Sequence, residues 1–84
     1  MVMGIGVAKG GTVKSFVVVR DNQNRKTVYV REVPRGGDAA ALQEALRHYP
    51  DPNRYSCDVF MASSWESLTV GHPKLSDGRP GMGP

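Results

Sequence analysis

The sequence has very little of what would cross-link, anchor or export a protein. Only one of its 84 residues is cysteine, Cys57, so no disulfide can form within the chain. It contains no apolar run close to the ~20 residues that a transmembrane helix needs. The segment Met1–Ala8 has no basic start and is interrupted by Gly4 and Gly6, unlike a secretory signal peptide. We therefore expect a reduced, cytoplasmic protein that does not enter a membrane.

Side chains that bind metals or act as nucleophiles are also scarce. His48, His72 and Cys57 show neither CxxC nor HxxxH spacing, so we expect no metal site. The serines lack the glycine pattern of a nucleophile elbow, and a lone cysteine in an alternating apolar segment usually packs as a core residue. A chain of this length also has little room for a pocket of ~300 Å³ beside its core. The sequence therefore favours a protein that is not an enzyme and holds no cofactor.

The first half of the chain is typical of β-structure. Met3–Val7 alternates apolar residues with glycine, and the Gly-Gly pair that follows suits a tight turn. Two strand-like segments come next, Val13–Arg20 and Lys26–Val33, separated by polar turn-forming residues. We expect these three segments to form an antiparallel meander.

The second hairpin of this meander is apolar on both faces. A loop over residues 21–25 places Arg20 opposite Lys26 and Val18 opposite Val28. One face then holds Phe16, Val18, Val28 and Val30, and the second holds Val17, Val19, Tyr29 and Val33. A sheet face that meets water is normally polar. Something must therefore cover the second face: another part of the chain, a second copy or a partner.

A helix is predicted after the glycine-rich linker that ends at Gly37. Asp38 can cap this helix, because its carboxylate can accept from the free amides of the first turn. Apolar residues then recur at helical spacing, at Leu42, Ala45, Leu46 and Tyr49. Pro50 ends the helix. We expect this stripe to pack on one face of the sheet.

The last third of the chain predicts one more strand and a tail. Tyr55–Ala62 alternates as a strand does, and Ser63 to Glu66 has the capping-box pattern of a short helix, although residues 68–70 could form a strand instead. The segment Gly71–Pro84 is rich in glycine and proline, which is typical of a flexible tail. The expected architecture is a small single α+β domain over residues 1–70, in the order β-β-β-α-β, with a disordered tail over residues 71–84.

Charge is distributed unevenly and indicates an anionic partner. The chain carries +3 overall, with +5 up to Gly37 and −2 from Asp38 onward. Cations on strands can also simply protect exposed edges. We predict a non-catalytic binding or regulatory protein that uses the basic hairpin, with nucleic acid favoured over an acidic protein surface. The predicted contact residues are Lys14, Arg20, Asn22, Asn24, Arg25, Lys26, Tyr29, Arg31 and Arg35.

The alternative is a protein-binding or self-associating module, such as an inhibitor, an adaptor or a homodimer. It would use the second, valine-rich face of the sheet, with Val17, Val19, Val33 and Trp65 as the interface. Salt distinguishes the two hypotheses. Phosphate contacts weaken steeply as salt rises, whereas binding through an apolar face hardly responds.

Overall fold

The computed structural model of the protein describes residues 13–83. Three strands form one antiparallel sheet in the order β2-β1-β3, and they are β1 (Lys14–Asp21), β2 (Lys26–Pro34) and β3 (Tyr55–Ala62). The helical elements are α1 (Asp38–His48), α2 (Trp65–Gly71) and a 3₁₀ turn (Pro73–Asp77). The α+β class is therefore confirmed. No helix within residues 13–83 is long and apolar enough to cross a membrane.

Strand β1 lies in the middle of the sheet. It pairs with β2 on one side and with β3 on the other along its whole length, from Lys14 to Asp21. The predicted meander of consecutive strands is wrong in this respect, because α1 carries the chain back across the sheet and places β3 on the second edge of β1. The predicted strand Met3–Val7 lies outside the described residues.

The register of the β1–β2 hairpin differs from the predicted one. Lys26 lies opposite Asp21 rather than Arg20, because the turn has four residues and not five. Farther from the turn, Val18 lies opposite Val30, because β2 contains one additional residue after Thr27. Such a β-bulge shifts the alternation of the side chains. It places Val28 on the α1 side of the sheet, opposite to the predicted face.

Both faces of the sheet are covered by the chain itself. One core lies beneath α1, and its buried members are Val17, Val19, Tyr29, Ala41 and Ala45. The other lies beneath α2 and the 3₁₀ turn, and its buried members are Phe16, Val18, Val30, Leu68 and Leu75. Of the three coverings considered for the second face, the observed one is this chain's own helix.

Helix α1 contacts the sheet through small residues. Ala41 and Ala45, one helical turn apart, are its buried residues. Leu46, which was predicted to lie in the buried stripe, is 46% exposed because it lies on the flank of the helix. The N-cap is Gly37, and Asp38 makes no capping hydrogen bond, so the predicted cap is also wrong. Asp38 lies instead in the first turn, where its charge complements the helix dipole.

The predicted helical turn after β3 is observed and the alternative strand is not. Helix α2 begins after Ser64, whose side chain accepts a hydrogen bond from the backbone N–H of Ser67 at 3.1 Å. The cap lies one residue later than the capping-box pattern indicated. Leu68 faces the core, and Val70 on the opposite side of the helix is exposed.

The prediction of a disordered tail from residue 71 is wrong for the described residues 71–83. Leu75 is buried against the sheet. The Trp65 indole N–H donates to the carbonyl of Gly78 at 2.9 Å. Farther on, the Gly81 N–H donates to the carbonyl of Val30 at 3.0 Å, on the outer edge of β2. A few well-placed contacts therefore hold a segment whose composition resembles that of a tail.

Candidate nucleic-acid interface

Two of the predicted contact cations are balanced by carboxylates. Lys14 forms an ion pair with Glu32 at 2.8 Å, and Arg31 forms one with Glu44 at 2.8 Å. Exposed pairs of this kind add little to stability. They do cancel the charge that these cations would offer to a polyanion. Arg35 is exposed, but it lies beyond β2 at the end of the sheet opposite to the hairpin turn.

Arg20 has a structural position rather than an open one. Its guanidinium lies between the hairpin and the 3₁₀ turn, with the side chain 18% exposed. One terminal nitrogen donates to the Thr27 hydroxyl and to the carbonyl of Lys74, each at 2.8 Å, and lies 3.4 Å from the Asp77 carboxylate. The other donates to the carbonyl of Arg25 at 3.0 Å. Arg20 therefore joins two segments that are far apart in the sequence.

The asparagines at the hairpin turn are also engaged within the chain. The Asn22 amide donates to the carbonyl of Asn53 at 3.4 Å, and its oxygen accepts from the Ser56 hydroxyl at 3.0 Å. The Asn24 amide donates to the Asp21 carboxylate at 2.8 Å. These side chains shape the turn. They would have to break these bonds to read the edge of a base.

Tyr29, which the sequence analysis placed among the contact residues, is not exposed. It is 2% exposed and belongs to the core beneath α1. Its ring meets that of Tyr49 edge-on, with 5.9 Å between the ring centroids. Tyr29 lies on the face of the sheet that the sequence predicted for it, and it is buried because α1 covers this face.

Three exposed cations lie together beside the hairpin turn, and we call Arg25, Lys26 and Lys74 the tip cluster. None of them forms an ion pair with any other residue in the described range 13–83. The guanidinium of Arg20 binds the carbonyls of both Arg25 and Lys74, which fixes the two segments next to each other. The nearby Asp77 carboxylate is occupied, since it accepts from the Thr27 N–H at 3.1 Å. The result is a positively charged end of the sheet.

Lys74 is the member of the tip cluster that the sequence analysis missed. It was assigned to the tail, and nothing local shows that Arg20 binds its carbonyl. A weak signal was present: Pro73 suits the first position of a helical turn, and Leu75 is one of the few apolar residues after Gly71.

Asp21 fixes the turn that carries Arg25. Burial alone would raise the pKa of its carboxyl, but hydrogen bonds from Arg54, the Gln23 N–H and Asn24 bring this pKa down to about 2. The distances are 3.3 Å from Arg54, 2.9 Å from the Gln23 N–H and 2.8 Å from the Asn24 amide. Asp21 is therefore a charged carboxylate that holds the turn together.

The depressed pKa predicts how stability depends on pH. Asp21 stabilises the fold above its ordinary pKa of 3.8, and this contribution is lost as pH falls toward the folded-state value of about 2. We expect urea-unfolding curves of the wild type to show falling stability across this range. In Asp21→Asn, unfolding should involve about one proton fewer near pH 3, so its pH dependence should be shallower. Equal pH dependence in the two proteins would contradict this assignment.

Asp77 contributes to the same pH window and is retained in that variant. Burial raises its pKa, but hydrogen bonds from Thr27 and the charge of Arg20 outweigh this and lower it. Some acid sensitivity is therefore expected to remain in Asp21→Asn. An Asp77→Asn variant, measured in parallel, separates the two contributions.

The valines of the predicted interface are not exposed to solvent. Val17 and Val19 are completely buried beneath α1, and Val33 is half-buried against the same core. Trp65 packs on the opposite face of the sheet, with its ring centroid 5.6 Å from that of Phe16. The four residues therefore do not lie together on one face.

Other kinds of site find less support in the described residues. Within residues 13–83, no three His, Cys, Asp or Glu side chains lie close enough together to hold a metal ion. Two surface clefts have volumes of about 450 and 480 Å³, larger than the sequence analysis expected. The described residues that line them include no histidine, cysteine or serine. Partial burial and the charge of Asp58 raise the pKa of the Cys57 thiol, which keeps it protonated at neutral pH.

Within residues 13–83, the tip cluster thus brings two of the predicted contact cations, Arg25 and Lys26, together with Lys74 as exposed side chains that form no ion pair. No protein-family model, no curated protein and no solved structure matches this chain.

Proposed function

We propose that this protein binds nucleic acid through the tip cluster and does so without catalysis. The observation that carries the proposal is the Arg20 guanidinium, which binds the carbonyls of Arg25 and Lys74 and so holds the exposed cations at one end of the sheet. Lysine and arginine neutralise phosphates and release counterions, which supplies most of the affinity in sequence-independent binding.

The grouping of charge at this end of the sheet favours a nucleic acid over an acidic protein surface. The cations lie on the β1–β2 turn, at the start of β2 and on the neighbouring 3₁₀ turn, and neighbouring lysine and arginine side chains can neutralise successive phosphates of one backbone. Of the three carboxylates at this end, Asp21 and Asp77 are bound to cations and backbone amides, and Asp51, on the β3 side of the turn, accepts from the Asn53 N–H. They therefore add little repulsion toward phosphate.

The contacts we propose are to the sugar–phosphate backbone rather than to bases. Backbone contacts position a protein without reading sequence. The amides of Asn22 and Asn24, which could otherwise reach base edges, are engaged within the chain. Binding is therefore expected to show little sequence preference.

A charge-removal variant tests the proposal through the salt dependence of binding. Binding of a short fluorescent duplex is measured by anisotropy between about 50 and 200 mM salt for the wild type and for Arg25→Ala/Lys26→Ala/Lys74→Ala. Three lost phosphate contacts should make the slope of log K against log salt shallower by about 2.7. Because the three side chains are exposed, stability should change little.

The matched control removes the same charge elsewhere, in Lys14→Ala/Arg35→Ala/Arg47→Ala. This variant should keep most of the affinity and a nearly unchanged slope. Equal losses in the two triple variants would mean that net charge alone drives binding, and would contradict a role for the tip cluster. Equal affinity for poly-glutamate and for the duplex would contradict nucleic acid as the partner.

A further inference from the structure

The outer edge of β2 is closed by the chain itself. Its cations Lys26 and Arg31 and its terminal Pro34 are residues that protect strand edges from pairing with another chain. Three of its carbonyls accept hydrogen bonds from elsewhere in the protein, namely from Tyr49 to Val28, from Gly81 to Val30 and from Gly37 to Pro34. A further strand has little left to bind on this edge.

Among residues 13–83, nothing pairs with the outer edge of β3 over most of its length. The hydrogen bond from the Asn22 N–H to the carbonyl of Arg54, 2.7 Å long, sets the phase of the β1–β3 ladder. Hydrogen-bonded pairs alternate along an antiparallel ladder, so every second residue of β3 directs its backbone groups away from β1. At Cys57, Val59 and Met61 these groups have no hydrogen-bond partner within residues 13–83.

Nothing on β3 protects this edge in the way that β2 is protected. The strand contains no proline, lysine or arginine, and its single charge is Asp58. Met61, at 53% exposure, and Leu46 on α1, at 46%, are among the most exposed large apolar residues. Glu44 pairs with Arg31 and so marks the side of α1 that faces β2. Leu46 follows Glu44 by two residues, which corresponds to a rotation of about 200° around the helix axis. Leu46 therefore lies on the β3 side of the helix.

We propose that β3 pairs in antiparallel fashion with β3 of a second copy of this chain, centred on Val59. In this register Val59 lies opposite Val59 of the second copy. Cys57 of each copy lies opposite Met61 of the other. These three pairs use all the N–H and C=O groups that Cys57, Val59 and Met61 leave unpaired on both copies. The two sheets join into one continuous sheet of six strands.

The charges on β3 favour this register and favour a second copy of the chain as the partner. A shift that centres the pairing on Asp58 would place the two Asp58 carboxylates directly opposite each other, which is destabilising. Centring on Val59 instead sets Asp58 opposite Phe60 of the second copy. His72 stacks on Phe60, with 4.8 Å between the ring centroids. Each Asp58 therefore lies near an imidazole of the second copy and not near another carboxylate.

Self-association should be weak, because the edge is short. A stable interface buries about 800 Å² on each partner, and a pairing of five residues with two apolar flanking side chains covers less than this. A dissociation constant in the micromolar range is expected, so the experiment needs a concentration series. The β3 edge is separate from the tip cluster. A chain that does not dimerise through this edge could therefore still bind nucleic acid as proposed.

Sedimentation velocity of the full chain tests the proposal, from about 5 to about 500 µM. The average mass should rise from 9.1 kDa toward twice that value. Met61→Pro removes one outward N–H at an exposed position while leaving the hydrogen bonds to β1 intact, so dimerisation should weaken more than about tenfold. Met61→Ala is the matched control: it loses the side chain, keeps the N–H, and should dimerise within a few-fold of the wild type.

Three results would overturn the proposal. They are a wild type that stays monomeric throughout the series, a Met61→Pro variant that dimerises as well as Met61→Ala, and a dimer whose Cys57 and Val59 amides exchange with solvent as fast as in the monomer. Hydrogen exchange on the wild type does not depend on the variants folding. Protection of these amides that does not depend on protein concentration would mean that a segment of the same chain, within residues 1–12, pairs with the edge. That result too would rule out pairing with a second copy.

Discussion

Replacing Val19 by aspartate is expected to unfold the protein rather than to separate two copies of it. Val19 belongs to β1 and is completely buried beneath helix α1, in the core that includes Ala45. None of the described residues of this core is a cation, so a carboxylate buried there is unpaired. The cost of several kcal/mol is a large part of a typical stability of about 5–15 kcal/mol. Circular dichroism with urea unfolding should show loss of the cooperative transition.

Val70→Asp is the control for this experiment. Val70 is 82% exposed on α2, so the same substitution should change stability by no more than about 0.5 kcal/mol. If Val19→Asp instead remained as stable as the wild type and only changed its mass in sedimentation, α1 would not cover this face. The valine-rich interface of the sequence analysis would then be restored.

Replacing Leu75 by alanine is expected to cost about 2–5 kcal/mol. Leu75 is 1% exposed and packs with Phe16, Val18 and Val30 beneath the 3₁₀ turn. The change removes buried methyl groups and leaves a cavity that the neighbouring strands cannot fill. Urea unfolding followed by tryptophan fluorescence suits the measurement, because Trp65 packs against the same core.

Leu46→Ala is the matched control, since it makes the same chemical change at a side chain that is 46% exposed. Its cost should be less than about 1 kcal/mol, in line with the smaller burial. A disordered tail would make Leu75→Ala as mild as Leu46→Ala. That result would remove the support for Lys74 in the tip cluster, because Leu75 anchors the turn that carries it.

The elements that the sequence predicts well are those defined by local periodicity. The alternation in β1, β2 and β3 and the helical spacing in α1 each lie within a dozen residues, and all four elements are observed within a residue or so of the predicted bounds. The register of the hairpin was not predictable in this way. The bulge at Val28 places Val28 and Tyr29 in the core beneath α1, and Val30 in the core beneath α2 and the 3₁₀ turn. Both cores are completed by helices that are distant from β2 in the sequence.

The C-terminal segment shows why composition misleads. Gly78 was interpreted as a sign of flexibility, yet a Cβ at this position would lie 2.7 Å from the Thr27 side chain. The glycine permits a close approach of two segments, which is a packing requirement and not freedom of movement. A glycine needed for packing and one in a flexible tail look the same in a sequence.

The candidate site was predictable only in part. Arg25 and Lys26 follow from the charge of the hairpin, but Lys74 enters through a hydrogen bond from a residue 54 positions away. Conversely, the charges of Lys14 and Arg31 are offset by ion pairs with Glu32 and Glu44, which join neighbouring strands or a strand and a helix. Such pairings depend on the register and the packing of the elements, which the sequence analysis did not provide.

The most direct test of the central claim is a map of the nucleic-acid contact on the protein. ¹H–¹⁵N spectra are recorded during titration with a short duplex at low salt, and again at higher salt. The account predicts saturable shifts concentrated at residues 24–27 and 73–75, which disappear at high salt. Shifts centred on Lys14 and Arg35, or on the β3 edge around Val59, would contradict it, as would a spectrum that the duplex leaves unchanged.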